Sequence, residues 1–237
     1  MGKKYKVAGL LFKMDACGMT EQRAEKYQIE TPDEPLFEVT SRWDLVKHRH
    51  PELAVDIGHY LSTGNCFYRN LIEYNGMMLH ASAVVVDGVA YLFSADSGTG
   101  KSTHTGLWLK KFGERAYILN DDKPALKLEE GVWYAYGTPW SGKHDINVDR
   151  RIPIGGIALV KRGETNEITP AKGVLTIQKL LKQLNRPKGK EYREKLLELM
   201  DRLMTDVPIW ELQCNMEPEA ADVAYNAMSS MVKGAKK

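Results

Sequence analysis

Three cysteines, Cys17, Cys66 and Cys214, are all that the 237-residue chain contains, an odd number set far apart with no Cys-x-x-Cys pair. That scarcity argues against a disulfide framework and a structural zinc site, and it fits a reducing compartment. An excess of charge of one sign is also missing, because 33 basic residues meet 31 acidic ones and leave a formal net charge of +2. Without a basic excess, neither nucleic-acid binding nor attachment to an anionic membrane surface is expected as the main activity. The local basic clusters Arg186 to Lys190 and Lys233 to Lys237 read as solvated surface and tail. Long apolar runs are lacking too: the stretch after Met1-Gly2-Lys3-Lys4-Tyr5-Lys6 is cut by Lys13 and Asp15 and is too short for a membrane span. No repeat or low-complexity tract appears. The expectation is a soluble cytoplasmic protein with neither membrane nor nucleic acid as partner. With 43% hydrophobic residues, the chain has enough apolar material for one substantial core, or for one main domain with a small appendage.

The apolar segments Val84-Val85-Val86 and Val89 to Phe93 lead directly into Ala95-Asp96-Ser97-Gly98-Thr99-Gly100-Lys101-Ser102-Thr103, a phosphate-binding loop of the Walker A kind. A strand feeding a Gly-rich turn and then a helix aims successive backbone N–H groups, and the positive end of the helix, at one point. That point suits a triphosphate. In the pattern G-x-x-x-x-G-K-[ST], Lys101 reaches the β/γ-phosphates and the Ser102 hydroxyl sits on Mg²⁺. Ala95 replaces the first glycine, while the core Gly98-Thr99-Gly100-Lys101-Ser102 is intact. Thr103 to Lys111 continues as a helix with Leu107 and Trp108 available for packing. Residues Asp96 to Thr103 are therefore read as the nucleotide-binding loop.

Along the rest of the chain, Tyr5 to Phe12 is β-like, Pro32-Asp33-Glu34-Pro35 interrupts, and Leu36 to Thr40 is another strand candidate. Trp43 to Tyr60 reads as largely helical despite Pro51, and Phe67 to Tyr74 as a short helix ended by Asn75-Gly76. Residues 1–76 thus form a small N-terminal α+β appendage, and residues 77–237 the main domain. Asp87-Gly88 gives a strong hairpin signal between two apolar segments of Met77 to Phe93. Tyr117 to Asn120 is a strand ending at Asp121-Asp122, and Ala125 to Tyr136 is a second hairpin turning at Glu129-Glu130-Gly131. Hairpins around the loop imply antiparallel pairing and count against an all-parallel nucleotide fold. Ile154 to Val160 is a strand interrupted at Gly155-Gly156, followed by amphipathic helices over Ala171 to Leu184 and Lys190 to Met204. A strand over Pro208 to Cys214 and a helix over Pro218 to Val232 complete an α/β chain.

Carboxylates at the end of a strand beside a phosphate loop are where a Mg²⁺ ligand is useful, because metal-bound phosphates take oxygen ligands. Asp121 and Asp122 offer two jobs, one holding Mg²⁺ and the other accepting the proton of an attacking hydroxyl. Either aspartate is available for either job. His80 lies at the start of the hairpin that delivers the loop, placed to face the γ-phosphate or to polarise Asp122. The loop Gly137-Thr138-Pro139-Trp140-Ser141-Gly142-Lys143-His144 either closes over substrate, with Lys143 or the Arg150-Arg151 pair supplying charge, or is a solvent loop anchored by a buried Trp. His48-Arg49-His50 is set aside as a metal cluster, since adjacent side chains diverge and Pro51 marks a turn.

The run from His80 through Asp96-Ser97-Gly98-Thr99-Gly100-Lys101-Ser102 to Asp121-Asp122 resembles the catalytic domain of HPr kinase/phosphorylase and of the stand-alone HPr-kinase-like serine kinases. That family shares its nucleotide core with phosphoenolpyruvate carboxykinase. The resemblance covers about residues 77 to 160 at the level of motifs. It implies a mixed-sheet P-loop fold, ATP and Mg²⁺ as cofactors, and a serine-containing peptide, protein or small molecule as acceptor. His80 and one aspartate, Asp122 when Asp121 is the metal ligand, would assist proton transfer, with Lys101 on the phosphates, and Ser102 with the other aspartate would handle Mg²⁺. Relatives of this kind assemble, so a homo-oligomer is compatible. Two departures set the chain apart from the bifunctional enzymes: Thr103 stands where they have Glu, and Arg151 to Ile157 lacks the Glu of their Glu-x-Arg-Gly signature. The N-terminal 76 residues also differ from the family's usual regulatory domain. A forward kinase is therefore expected, against two alternatives. One is a non-catalytic nucleotide-binding module of a peptide-modification system. The other is carboxykinase-type phosphotransfer to a small organic acid, which would need a second metal signature and an Arg cluster.

Overall fold

A computed structural model describes residues 2–234, with side chains described through Ser230, so Met1 and the Lys233 to Lys237 tail lie outside the described side chains. The chain begins with a hairpin, β1 (Lys3–Val7) and β2 (Leu10–Met14), rather than the single strand expected over Tyr5 to Phe12. Its turn residues Ala8 and Gly9 both have positive φ, 51° and 76°, as a two-residue hairpin demands, and an alanine in that place hides the turn from a sequence reading. After α1 (Gly18–Ala24), β3 (Phe37–Val39) joins β2 in parallel and completes a three-stranded sheet. Pro51 separates α2 (Trp43–Arg49) from α3 (Val55–Leu71), because a proline's neighbours resist helical backbone. The helix expected from Phe67 is thus the last turn of α3, and the chain leaves it at Asn75 in left-handed conformation, φ 59°.

Nine strands make the second sheet. In chain order they are β4 (Gly76–Met78), β5 (Ala81–Val86), β6 (Val89–Ser94), β7 (Ala116–Asn120), β8 (Ala125–Glu129), β9 (Val132–Tyr136), β10 (Arg151–Arg162), β11 (Glu167–Pro170) and β12 (Ile209–Cys214). The helices α4 (Lys101–Phe112), α5 (Val174–Gln183), α6 (Lys190–Asp206) and α7 (Glu219–Gly234) accompany them. The strand order is β4-β8-β9-β10-β6-β5-β7, with β12 paired to β10 and to β11. Both expected hairpins form, with Asp87 and Gly88 at φ 50° and 77° and Glu130 and Gly131 at 50° and 82°. Strand β10 runs parallel to β6 and β12 but antiparallel to β9, and its register slips between Ile154 and Gly156, where the sequence showed the Gly-Gly interruption. The result is a mixed α/β architecture. Helix α5 starts at Val174 rather than at the expected Ala171, because Gly173 before it takes a non-helical backbone, φ 76°, and residues 167–170 add an edge strand, β11, that was not expected.

Alternation on the central strands decides the layers. Ala81, Ala83, Val85, Ala90, Leu92, Ile157 and Leu159 point to a core shared with α5 and α6, through Leu180, Leu196, Leu199 and Leu203. Their neighbours Val84, Val86, Tyr91, Phe93, Ala158 and Val160 point to the opposite core, filled by Leu107 and Trp108 of α4 and Ala220, Ala221, Ala224 and Met228 of α7. Strands covered on both faces read as continuous apolar runs, as β5 does. A third core joins the small sheet and α3 to Ala125, Tyr136 and Trp140 of the later chain. Among the described residues no helix is long and apolar enough to cross a membrane.

Candidate functional site

The end of β6 delivers the loop, and α4 begins at Lys101. Gly98 and Gly100 carry φ of +78° and +116°, conformations that a side chain resists, so glycine is required for the turn into the helix. The Lys101 ammonium folds back onto the Ala95 carbonyl at 2.9 Å. Burial lowers its pKa, outweighing the carboxylates of Asp122, Asp121 and Asp96, which act in the opposite sense. Arg162, at the end of β10, grips the loop from outside: Nε donates to Thr99 O at 3.0 Å and Nη2 to Gly98 O at 2.5 Å.

Strand β7 ends in Asn120, fully buried, whose Oδ1 accepts from the backbone N–H groups of Asp122 (3.0 Å) and Lys123 (2.7 Å). Its Nδ2 donates to Thr138 O and Oγ1, both at 3.1 Å. This side-chain turn directs the two aspartates to different partners. Asp121 accepts from Ser82 Oγ at 2.7 Å through one oxygen and from Ser102 Oγ at 3.0 Å through the other. Asp122 faces His80 Nε2 at 3.1 Å and the Lys123 ammonium. Burial alone would raise the Asp122 pKa, but the hydrogen bond from His80 and the adjacent Lys123 charge outweigh it and bring the carboxyl to about 2.

His80 is held by its backbone as well as its ring. Its N–H donates to Gln183 O at 2.8 Å, and its carbonyl accepts from Ser94 Oγ at 2.8 Å. Gln183, at the end of α5, donates its Nε2 to Asp96 Oδ1 at 2.7 Å and presents Oε1 to His80 Nδ1 at 3.0 Å. A carboxylate only accepts, so the amide nitrogen must face Asp96 and the amide oxygen must face the ring. His80 Nδ1 therefore carries hydrogen, and Nε2, which donates to the Asp122 carboxylate, carries another, so both ring nitrogens act as donors.

A cleft of about 470 Å³ collects these groups, with His80, Asp121 and Asp122 facing Ser97, Gly98, Gly100, Lys101, Ser102 and Thr103. Thr99 faces a neighbouring recess instead, and Asp96 spends its carboxylate on Gln183. The segment 137–144 contains both features weighed from sequence. Trp140 is buried, stacked on Phe67 at 4.9 Å, while Gly142, Lys143 and His144 line the cleft. Gly142 (φ +80°) lies so close to Asp122 that a Cβ on it would come within 2.8 Å of the Asp122 Cβ. Arg150 and Arg151 are not part of this cleft: Arg150 lies over the Tyr117 ring at 5.3 Å, and Arg151 lies over Tyr134 and bonds Glu129 at 3.0 Å. Of the two cation sources weighed from sequence, Lys143 lines the cleft and the Arg150-Arg151 pair does not, while Arg162, which also lines it, was missed together with Ser82, Lys123 and Gln183. Only the Asp-Asp-Lys adjacency gave a signal for one of them.

The residues at the cleft suit a small hard cation. Ser102 and Asp121 offer a hydroxyl and a carboxylate oxygen 3.0 Å apart. Among the described residues no group of three or more His, Cys, Asp or Glu forms a metal cage. That donor set matches Mg²⁺, which is commonly held by one or two protein oxygens with phosphates and water completing its shell.

No family model matches the chain, and no curated protein matches it. Among solved structures it is similar to the Hpr(Ser) kinase/phosphatase from Coxiella burnetii, with 10% sequence identity and a TM-score of 0.40 over 65% of this chain and 98% of that one.

Proposed function

We propose that the protein is an ATP- and Mg²⁺-dependent serine kinase of the HPr-kinase-like type, transferring the γ-phosphoryl group to the hydroxyl of a serine in a peptide, protein or small molecule. The observation that carries this reading is the convergence of Lys101, Ser102, Asp121, Asp122 and His80 on one cleft from three separate stretches of chain. The backbone N–H groups of the 98–102 turn and the start of α4 receive the phosphates. Lys101 exchanges the Ala95 carbonyl for phosphate oxygens, a like-for-like swap of acceptors that costs the buried ammonium little. Ser102 and Asp121 would hold Mg²⁺, whose charge would offset that of the transferring group when it is bound.

Asp122 is then the residue left to receive the acceptor's proton. A carboxylate with a pKa of about 2 is ionised at neutral pH but is a weak base. It orients the hydroxyl and takes the proton late, once bonding to phosphorus has made that proton acidic, which suits a loose transition state. His80 keeps the carboxylate aimed through its Nε2, and Lys123 offsets its charge. Residues 77–237 form the catalytic unit in this reading, and residues 1–76 brace it. Thr103 in place of Glu favours the forward reaction.

The reading is tested with γ-labelled ATP, Mg²⁺ and a serine-containing peptide library. Wild type transfers label, Lys101→Ala loses ATP binding, and Asp122→Asn retains binding but loses transfer. Full activity in both variants overturns the proposal.

A further inference from the structure

The Arg150-Arg151 pair, absent from the phosphate-loop cleft, lines a different recess of about 330 Å³ together with Lys6, Lys26 and Asp149. The recess lies where the N-terminal hairpin meets the main sheet, with the β1–β2 turn on one side and Tyr136 of β9 and the start of β10 on the other. In a chain whose charges nearly cancel, at +2 overall, four cations here share a wall with one carboxylate. Among the described residues none of Lys6, Lys26 and Arg150 has an ion pair: Lys26 donates to the Asn147 carbonyl at 3.0 Å, and Arg150 lies over the Tyr117 ring at 5.3 Å. Arg151 is spent on Glu129, which Lys127 also meets. Asp149 stands among the cations unpaired as well, and burial raises its pKa against the pull of Lys26 and Lys6. Unpaired cations on a concave wall are what recognises acidic segments, each carboxylate taking a charge-assisted bond.

The spacing of these groups suits a chain better than a compact anion. The cations come from three stretches, β1, the turn at 25–27 and the start of β10, and Asp149 between them repels a dense polyanion. Carboxylates spaced along an extended peptide can straddle it. The recess is also near the phosphate-loop cleft. Gly142, which lines the cleft, follows Tyr136, which lines the recess, by six residues, so their Cα atoms are at most about 22 Å apart. A stretched peptide of about seven residues covers that distance. The intervening segment is braced from the N-terminal part: Arg23 Nη1 donates to Gly142 O at 2.6 Å and Tyr27 OH to Asn147 Oδ1 at 2.7 Å. Recess and cleft are thus held in a fixed relation.

We infer that this recess binds an acidic stretch of the acceptor polypeptide, Asp or Glu side chains placed about seven residues from the serine that enters the cleft. That the bound chain is the acceptor rests on the kinase reading above; that it is acidic rests on the recess alone. The test titrates a fluorescein-labelled hexaglutamate peptide against the full chain by fluorescence anisotropy, with Mg²⁺-ATP present to occupy the phosphate loop. Wild type binds the peptide, Lys6→Glu/Arg150→Glu binds it about tenfold more weakly, and Arg150→Gln alone about threefold. The differences close as salt is raised. Lys188→Glu, which alters an exposed cation outside the recess, binds like wild type. Equal affinity in wild type and Lys6→Glu/Arg150→Glu, or an equal loss in Lys188→Glu, overturns the inference. Displacement of the peptide by inorganic phosphate at matched ionic strength also overturns it, making the recess an oxyanion site. The acceptor is tested by transfer to serine peptides with and without a glutamate run about seven residues from the serine. Lys6→Glu/Arg150→Glu raises KM about tenfold for the acidic peptide alone, with kcat unchanged. Equal KM for the two peptides in wild type overturns the acceptor assignment. Transfer to no peptide while hexaglutamate still binds overturns the kinase reading and leaves the acidic-peptide site standing.

Discussion

The wall of the cleft formed by His80, Asp121 and Asp122 holds its shape through hydrogen bonds among polar groups, whereas the segment pressed against it, Thr138 to Gly142, holds its place through aromatic packing. In the first region every carboxylate oxygen has a partner: Ser82 and Ser102 on Asp121, His80 and Lys123 on Asp122. In the second, Trp140 is 1% exposed, stacks on Phe67, meets Tyr68 edge-on at 5.5 Å and donates to Thr63 Oγ1 at 3.3 Å. Tyr68 completes the join by hydrogen-bonding the Lys123 carbonyl at 2.5 Å and Thr138 Oγ1 at 2.9 Å. Buried paired charges contribute little net stability because desolvation offsets their attraction, while buried aromatic area contributes directly. The polar wall can thus exchange partners at little cost in stability, while the aromatic layer keeps it in position.

That division sets the expected hierarchy of damage. Asp122→Asn should lower phosphoryl transfer by about a thousandfold or more, on the order of 4 kcal/mol in the barrier, while costing no more than about 2 kcal/mol in urea unfolding. A large loss of stability in this variant would erase the contrast between the two regions. Trp140→Ala should do the reverse, costing about 3–5 kcal/mol in equilibrium unfolding and reducing transfer only as far as the loop loosens.

Acid separates the polar groups by pH window. His104, behind the loop, has its folded pKa lowered by burial to about 4. Its contribution is therefore present above the unfolded value of about 6.5 and is lost as pH falls through 4, about 3 kcal/mol in all. Asp122, lowered to about 2, contributes above the unfolded value of about 3.9 and loses about 2 kcal/mol as pH falls through 2. Unfolding free energies measured against pH should lose the upper step in His104→Gln and the lower step in Asp122→Asn. The smallest effect is expected at Gln183→Leu, about tenfold in kcat with KM for ATP little changed, since the variant frees the His80 ring without removing it. The signature is in the ring itself: nitrogen NMR should show His80 losing its fixed Nδ1–H form, and an unmoved signal would mean that Gln183 does not orient the imidazole.

Much of this arrangement was legible along the chain wherever local chemistry dictated it. Asp87-Gly88 and Glu130-Gly131 announced hairpins because those turns need left-handed backbone, and Gly98 and Gly100 announced the loop for a related reason. Ala8 concealed the same conformation at the first turn. The parallel pairing of β10 with β6 and β12 left no local trace, since it joins segments far apart in sequence. The different partners of Asp121 and Asp122 were equally invisible, because they depend on Ser82, Lys123 and the Asn120 side chain meeting in space. Arg150 and Arg151 were misassigned by proximity in sequence, when Arg162, one strand-length further on, reaches the loop.

The bridge through Gln183 has an evolutionary consequence. The segment between β10 and the end of α5 can lengthen, shorten or change its surface only while it still returns one amide to the gap between Asp96 and His80. A lineage that exchanged His80 for a residue without a donor would strand a buried oxygen, and one that lost Asp96 would strand a buried nitrogen. Positions 80, 96 and 183 are therefore constrained to drift as a set, and their joint variation among descendants of this chain would record the geometry of the site.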